Sequence, residues 1–205
     1  GVRTLPFAIA TGIMSPLAIV LMHRFGSRAI VTLGLLVMSA GFLIAATVKV
    51  DTPYVGAVLI SMVTIAAGLG LATSPATDSV MGALPPEQAG AGAAVNDTTR
   101  EFGGTLGVAV VGSVFLSVYG AKVIDGYRNL GLPEQYESVV RESMGGGLAV
   151  AGQLPADVSA QLAGVVKGAF IDGLSRGSLV AALVVVVGAV VAWKYLPARV
   201  GSSDQ

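Results

Sequence analysis

Cysteine does not occur in this chain, histidine and tryptophan occur once each, and charged residues make up only 12% of it. Without cysteine there is no disulfide, no thiol nucleophile and no zinc-thiolate site, and nothing reports the redox compartment. One histidine, with no H-E-x-x-H and no P-loop, leaves no nucleophile-base pair and no metal cluster, so the chain reads as a non-enzyme without metal or cofactor. Formal charge is zero, and no basic face interleaved with aromatics offers itself to a phosphate backbone, which argues against nucleic acid as a partner.

What the chain has in abundance is apolar surface. Apolar residues are 54% of the total and the mean hydropathy is +0.79, far from soluble domains with about 25% charge. The run Tyr54 to Thr77 carries no charged side chain. At about 1.5 Å per helical residue it exceeds the roughly 30 Å of a bilayer's hydrocarbon core. Comparable uncharged runs predict an all-α membrane protein with five transmembrane helices and the lipid bilayer as its solvent.

In order, the expected spans are about 4–22, 29–48, 54–84 and 93–118, then a loop with short helices over 119–176, a last span at 177–196 and a tail at 197–205. Pro6, Gly12 and Pro16 predict a kink in the first span. Gly68-Leu69-Gly70 in the third reads as a site of close helix approach. In the loop, Pro133 is placed to open a helix with Tyr136, Val139, Val140 and Met144 on one face. Pro155 opens another with Val158, Leu162, Val165 and Val166, and Gly145-Gly146-Gly147 separates the two. Trp193 and Tyr195 suit an interfacial belt. The chain opens at Gly1 without the n-region and cleavage site of a signal peptide, which gives the expectation of a piece cut from a longer membrane protein.

Gly103 and Gly107 form G-x-x-x-G, with Gly112 beyond them. Helices in lipid gain little from hydrophobic burial against one another, so small residues that let backbones approach favour association. Two readings stay open for this ladder: static packing of two helices, or a sliding seam. Asp78, Asp97, Arg100 and Glu101 are the polar candidates, since an ionisable group at membrane depth usually faces a cavity or a partner. Asp97 and Arg100 are three apart and placed to pair on one helix face, with Asn96 four residues from Arg100. This predicts a gate latch centred on Arg100, set against a solvated interfacial charge cluster. Asp78 is the candidate proton carrier, because carriage needs a carboxylate that exchanges between the two sides.

Two stretches carry a resemblance. The helix Phe102-Gly103-Gly104-Thr105-Leu106-Gly107-Val108-Ala109-Val110-Val111-Gly112-Ser113-Val114 resembles the penultimate-span signature l-G-x-x-x-G-x-A-V-x-G-x-l of fourteen-span drug:proton antiporters in the major facilitator superfamily, the EmrB/QacA type. Upstream, Pro85, Pro86, Gly90, Gly92, Asn96 and Arg100 are similar to the segment leading into it. Leu21-Met22-His23-Arg24-Phe25-Gly26-Ser27-Arg28 is similar to the superfamily's inter-span motif L-x-D-R-x-G-R-R, with His23 in place of the acid and Ser27 in place of an arginine, while Arg24, Gly26 and Arg28 remain.

The resemblance implies most of the C-terminal bundle of a multi-pass plasma-membrane transporter with an extracytoplasmic loop at 119–176 and a cytoplasmic C-terminus. It also implies a missing N-terminal half of the same protein, and drugs or other amphipathic small molecules exported in exchange for protons. The other reading is a non-transporting membrane scaffold or assembly subunit, with the glycine helix as its contact surface.

Overall fold

A computed structural model describes residues 1–82 and 84–197. Most of the expected tail, 198–205, and position 83 in the third expected span therefore lie outside the described residues. The architecture is all-α: α1 (Leu5–Phe25), α2 (Ser27–Ala45), α3 (Leu59–Met81), α4 (Ala89–Asn129), α5 (Glu137–Glu142), α6 (Met144–Ala151) and α7 (Ala156–Tyr195). Five segments, Val2–Phe25, Ser27–Ala45, Tyr54–Met81, Ala89–Asn129 and Ala156–Tyr195, are long and apolar enough to cross a membrane. The chain is a multi-pass membrane protein.

Side by side, the long helices run α1, α3, α2, α7, α4, each packed on the next. The α2–α3 contact is the tightest, for a reason visible in three glycines. A Cβ on Gly34 would lie 2.8 Å from the Gly68 carbonyl oxygen, one on Gly68 2.4 Å from the Met38 amide nitrogen, and one on Gly41 2.7 Å from the Ile65 nitrogen. Backbone meets backbone there, as expected where lipid competes for every apolar side chain. Gly70 does the same against α1, with Thr11 and Met14 opposite it.

Both prolines of α1 are accommodated in one unbroken helix. Pro6 sits in the first turn, where its missing N–H is not needed, and only Pro16 is interior. Tyr54–Val58 forms a wide turn ahead of α3, with non-helical backbone at Val55 and Gly56.

The loop expected over 119–176 takes a different form. α4 and α7 have 41 and 40 residues, about 60 Å each and twice the hydrocarbon thickness. Charges such as Lys122, Asp125 and Arg128 end the apolar run without breaking the helix, because none of them is a helix breaker. α4 stops only at Gly131, whose φ of +65° suits glycine. Pro155 does open a helix, but that helix continues into the last span, so the span has no separate start at 177. Gly145-Gly146-Gly147 is likewise no separator: it lies inside α6, capped by Ser143, whose Oγ accepts from the Gly146 amide at 3.0 Å. Gly147 is buried, and a Cβ there would lie 2.7 Å from a Val166 methyl.

Together the outer halves of α4 and α7 enclose, with α5 and α6, a core of Tyr119, Val123, Tyr127, Val140, Leu162 and Val166. The two tyrosines close it by donating their hydroxyls to the carbonyls of Val140 at 2.9 Å and Pro133 at 2.7 Å. At its edge Lys122 meets Asp172 at 2.5 Å, and Arg128 grips Glu137 with hydrogen bonds of 2.7 and 2.8 Å.

Gly68→Ala is expected to destabilise the bundle by roughly 1 to 3 kcal/mol, because backbone atoms cannot yield as a side chain does. Gly164→Ala, where a Cβ meets open space, is expected to stabilise by about 0.5 to 1 kcal/mol. Unfolding midpoints in detergent check both. The Arg128 guanidinium holds the Glu137 carboxyl below the usual carboxylate range, chiefly through the hydrogen bond it donates. Because the folded value is the lower one, the pair's stabilisation is complete above the unfolded value of about 4.3 and fades as pH falls through the folded one. Amide protection factors in α5, which correct for the intrinsic pH dependence of exchange, are therefore expected to fall on acidification, with a weaker response in Glu137→Gln.

Candidate functional site

At the end of the bundle that carries the α1–α2 turn, three helices border a polar cleft of about 380 Å³. α3 supplies Thr73, Ser74, Thr77, Asp78 and Met81, a helical spacing that puts them on one face. Ile19 of α1 and Arg100 of α4 complete the lining. Thr73 turns its hydroxyl back to the Leu69 carbonyl at 2.8 Å. Two candidates singled out separately in the sequence, Asp78 and Arg100, thus border one space.

Other candidates are not brought there. Asp97 is exposed and outside the cleft lining, Asn96 is half-buried, and among the described residues Asp97 and Arg100 make no ion pair. The i,i+3 spacing permits that pair, but Arg100 borders the cleft instead. The glycine ladder is bare within this chain: a Cβ built on Gly103, Gly107 or Gly112 meets nothing within 4 Å. Among the described residues no helix of this chain fills the notch, and α4 meets α7 further along. The glycines of that contact are on α7, where Gly173 and Gly177 receive Phe115 and Val111.

The inter-span motif has a role that its spacing alone did not disclose. Gly26 ends α1 and starts α2 at φ +87°, a conformation L side chains rarely adopt. That reversal aims Ser27 and Arg28 at the end of α7. Arg28 Nε donates to the Leu196 carbonyl at 2.7 Å, Ser27 Oγ donates to the Pro197 carbonyl at 3.1 Å, and the guanidinium lies 6.0 Å from the Trp193 ring centroid. A helix C-terminus leaves carbonyls without intrahelical partners and carries partial negative charge, so a cation there is doubly favoured. Arg24 instead lies exposed over the Phe25 ring. No sequence signal points to backbone carbonyls so distant in the chain.

Beside this clasp opens an apolar cavity of about 720 Å³, bordered by Val80, Leu84, Ala91, Val95, Tyr195 and Leu196 among others, with no charged side chain in its lining. Among the described residues no three His, Asp or Glu side chains come together as a metal site needs.

No family model matches the chain. Individual relatives do. The chain is 29% identical over 191 residues, 93% of its own length, to the multidrug efflux pump LfrA of Mycolicibacterium smegmatis. It is 28% identical over 94% of its length to the tetracenomycin C resistance and export protein of Streptomyces glaucescens. To an uncharacterized MFS-type transporter, YhcA of Bacillus subtilis, it is 31% identical over 56% of its length. These alignments cover 37%, 36% and 21% of the relatives, so the chain spans little more than a third of the first two.

Arg28→Ala is expected to cost roughly 1.5 to 3 kcal/mol, the range of a hydrogen bond to a charged group. Because Trp193 is the sole tryptophan, the loss of its guanidinium neighbour is expected to raise quenching of the intrinsic fluorescence by acrylamide, a neutral quencher. Unchanged quenching and stability in Arg28→Ala would refute the clasp.

Proposed function

We propose that this chain forms five spans of a proton-coupled secondary transporter of the fourteen-span drug:proton antiporter type in the major facilitator superfamily, exporting drugs or other amphipathic small molecules across the plasma membrane. The observation that carries this reading is the similarity over more than nine-tenths of the chain to a multidrug efflux pump and to a resistance and export protein. Five spans in fourteen is a little over a third, the same share of those relatives that the chain covers. The missing N-terminal half of the same protein then supplies the opposite wall of the pathway, and the bare face at Gly103, Gly107 and Gly112 is where its helices seat.

The end with the clasp is the cytoplasmic one in this reading, and the C-terminus lies there too. This orientation follows the family resemblance; the α1–α2 turn carries Arg24 and Arg28 against Lys49 in the next short loop, while Lys122, Arg128, Arg141, Lys167 and Arg176 lie in the expected loop 119–176 at the other end. The apolar cavity has the size and lining of a site for drug-sized molecules. Asp78 is the proton carrier, a carboxylate at the mouth of a cleft flanked by hydroxyls.

Everted membrane vesicles carrying the full-length protein test the proposal. A cationic dye or an antibiotic is expected to accumulate on energisation, to stop doing so with an uncoupler, and to lose its dependence on proton motive force in Asp78→Asn. Stable, membrane-inserted protein that moves no substrate under any gradient favours the scaffold reading.

A further inference from the structure

Asp78 and Arg100 are the two charged side chains in the lining of the polar cleft, and they have opposite signs. Its other members are Ile19, Thr73, Ser74, Thr77 and Met81. Among the described residues neither charged group makes an ion pair or a side-chain hydrogen bond. Both are exposed and border one cleft, and opposite charges on facing helices gain by meeting.

α4 has the build to bring them together. Towards the cap it is fixed, with Val111 and Phe115 seated on Gly177 and Gly173 and Tyr119 and Tyr127 buried beyond. At its other end Gly92 lies under the Leu84 side chain. Between these points Gly103, Gly104 and Gly107 have open space where a side chain would be. Gly103-Gly104 follows Arg100 by less than one turn, and a glycine pair is a weak point at which a helix bends. The unbraced stretch therefore bears Arg100 itself.

We propose that Asp78 and Arg100 are the two halves of one gate latch, closed by a bow of α4 about Gly103-Gly104 that sets the guanidinium on the carboxylate. Asp97 and Glu101, the acids next to Arg100 on α4, lie outside the cleft and are not its partners. The latch seals the end of the bundle between α1, α3 and α4 when shut. When a proton or a cationic group takes the Asp78 carboxylate, Arg100 loses its partner and the cleft opens. One carboxylate serves both, so occupancy and closure exclude each other. The contact itself stands independently of transport; its role as a gate rests on the transporter reading.

The chain has no cysteine of its own, which makes cross-linking direct in the full-length protein once any cysteine elsewhere is replaced. In native membranes, the pair Asp78→Cys and Arg100→Cys is expected to be joined in high yield by a short bis-maleimide, detected after cleavage at a protease site placed between α3 and α4. The pair Asp78→Cys and Asp97→Cys is expected to react poorly, and equal yields for the two pairs overturn the latch. In export assays, Asp78→Asn and Arg100→Gln are each expected to slow transport about tenfold, with the double variant no slower than the worse single one. Losses that multiply overturn the coupling. Cross-linking in a protein that moves no substrate keeps the latch and removes the transporter reading; proton-coupled export without the 78–100 cross-link removes the latch alone.

Discussion

The bundle depends on how closely two backbones approach at Gly34 and Gly68. In water an apolar helix face is driven together with another by the cost of hydrating it; in lipid that cost is the same on either side of the contact. What remains is dispersion and weak polar attraction, both of which fall steeply with distance. Two glycines facing each other, with Gly41 on the same helix, remove the side chains that would hold α2 and α3 apart. α2 is then able to carry α7 on its other side, joined by Ser39 Oγ, which donates to the Ala182 carbonyl at 3.1 Å.

The cap obeys the other rule. Its core is made of two tyrosines and branched aliphatics, all essentially inaccessible, and each such side chain contributes roughly 1.5 to 3 kcal/mol by leaving water. The same two helices, α4 and α7, thus pass from one solvent to another and change packing chemistry on the way. At the change stands the pairing of Phe115 with Gly173, followed outward by the edge-on contact of Phe115 with Phe170 at 5.2 Å. Small residues close the contact on the lipid side of that point, and aromatic bulk fills it on the other. A cap fused to two spans couples the rotation of one to the other, since Lys122–Asp172 ties α4 to α7 and the tyrosine hydroxyls tie α4 to α5 and the turn before it.

How much of this was legible in the sequence follows from the range of each interaction. Uncharged runs such as Tyr54 to Thr77 disclose a span without help from the rest of the chain, because lipid acts on each helix individually. Tyr136, Val140, Leu162 and Val166 were readable as helix faces by their period. The continuity of α4 past Tyr119 was not, because a change from apolar to charged residues marks the membrane's edge and the helix's end alike. Gly103 and Gly107 advertised a contact by spacing, yet spacing does not name the partner, and Gly173 and Gly177 carry the same spacing and do have one. Arg28 was singled out by its motif, while the carbonyls it serves belong to backbone and have no letter in the sequence.

The clasp and the cleft sit at the same end of the bundle, and the arrangement gives them different freedoms. Arg28 is committed: its donor is spent on a helix terminus whose carbonyls have no other intrahelical partner, and that terminus cannot move without losing it. Arg100 has no such engagement among the described residues, and it is carried on a helix with open space at Gly103, Gly104 and Gly107. Of these two cations on adjoining elements, then, one fixes α7 to the α1–α2 turn and the other stays available. If α4 moves, it moves against a frame of α1, α2, α3 and α7 already locked by glycine contacts and by Arg28. The direction of any gating motion is therefore constrained before a substrate is considered: the frame holds, and α4 swings between its anchor at Phe115 and the hairpin at Leu84.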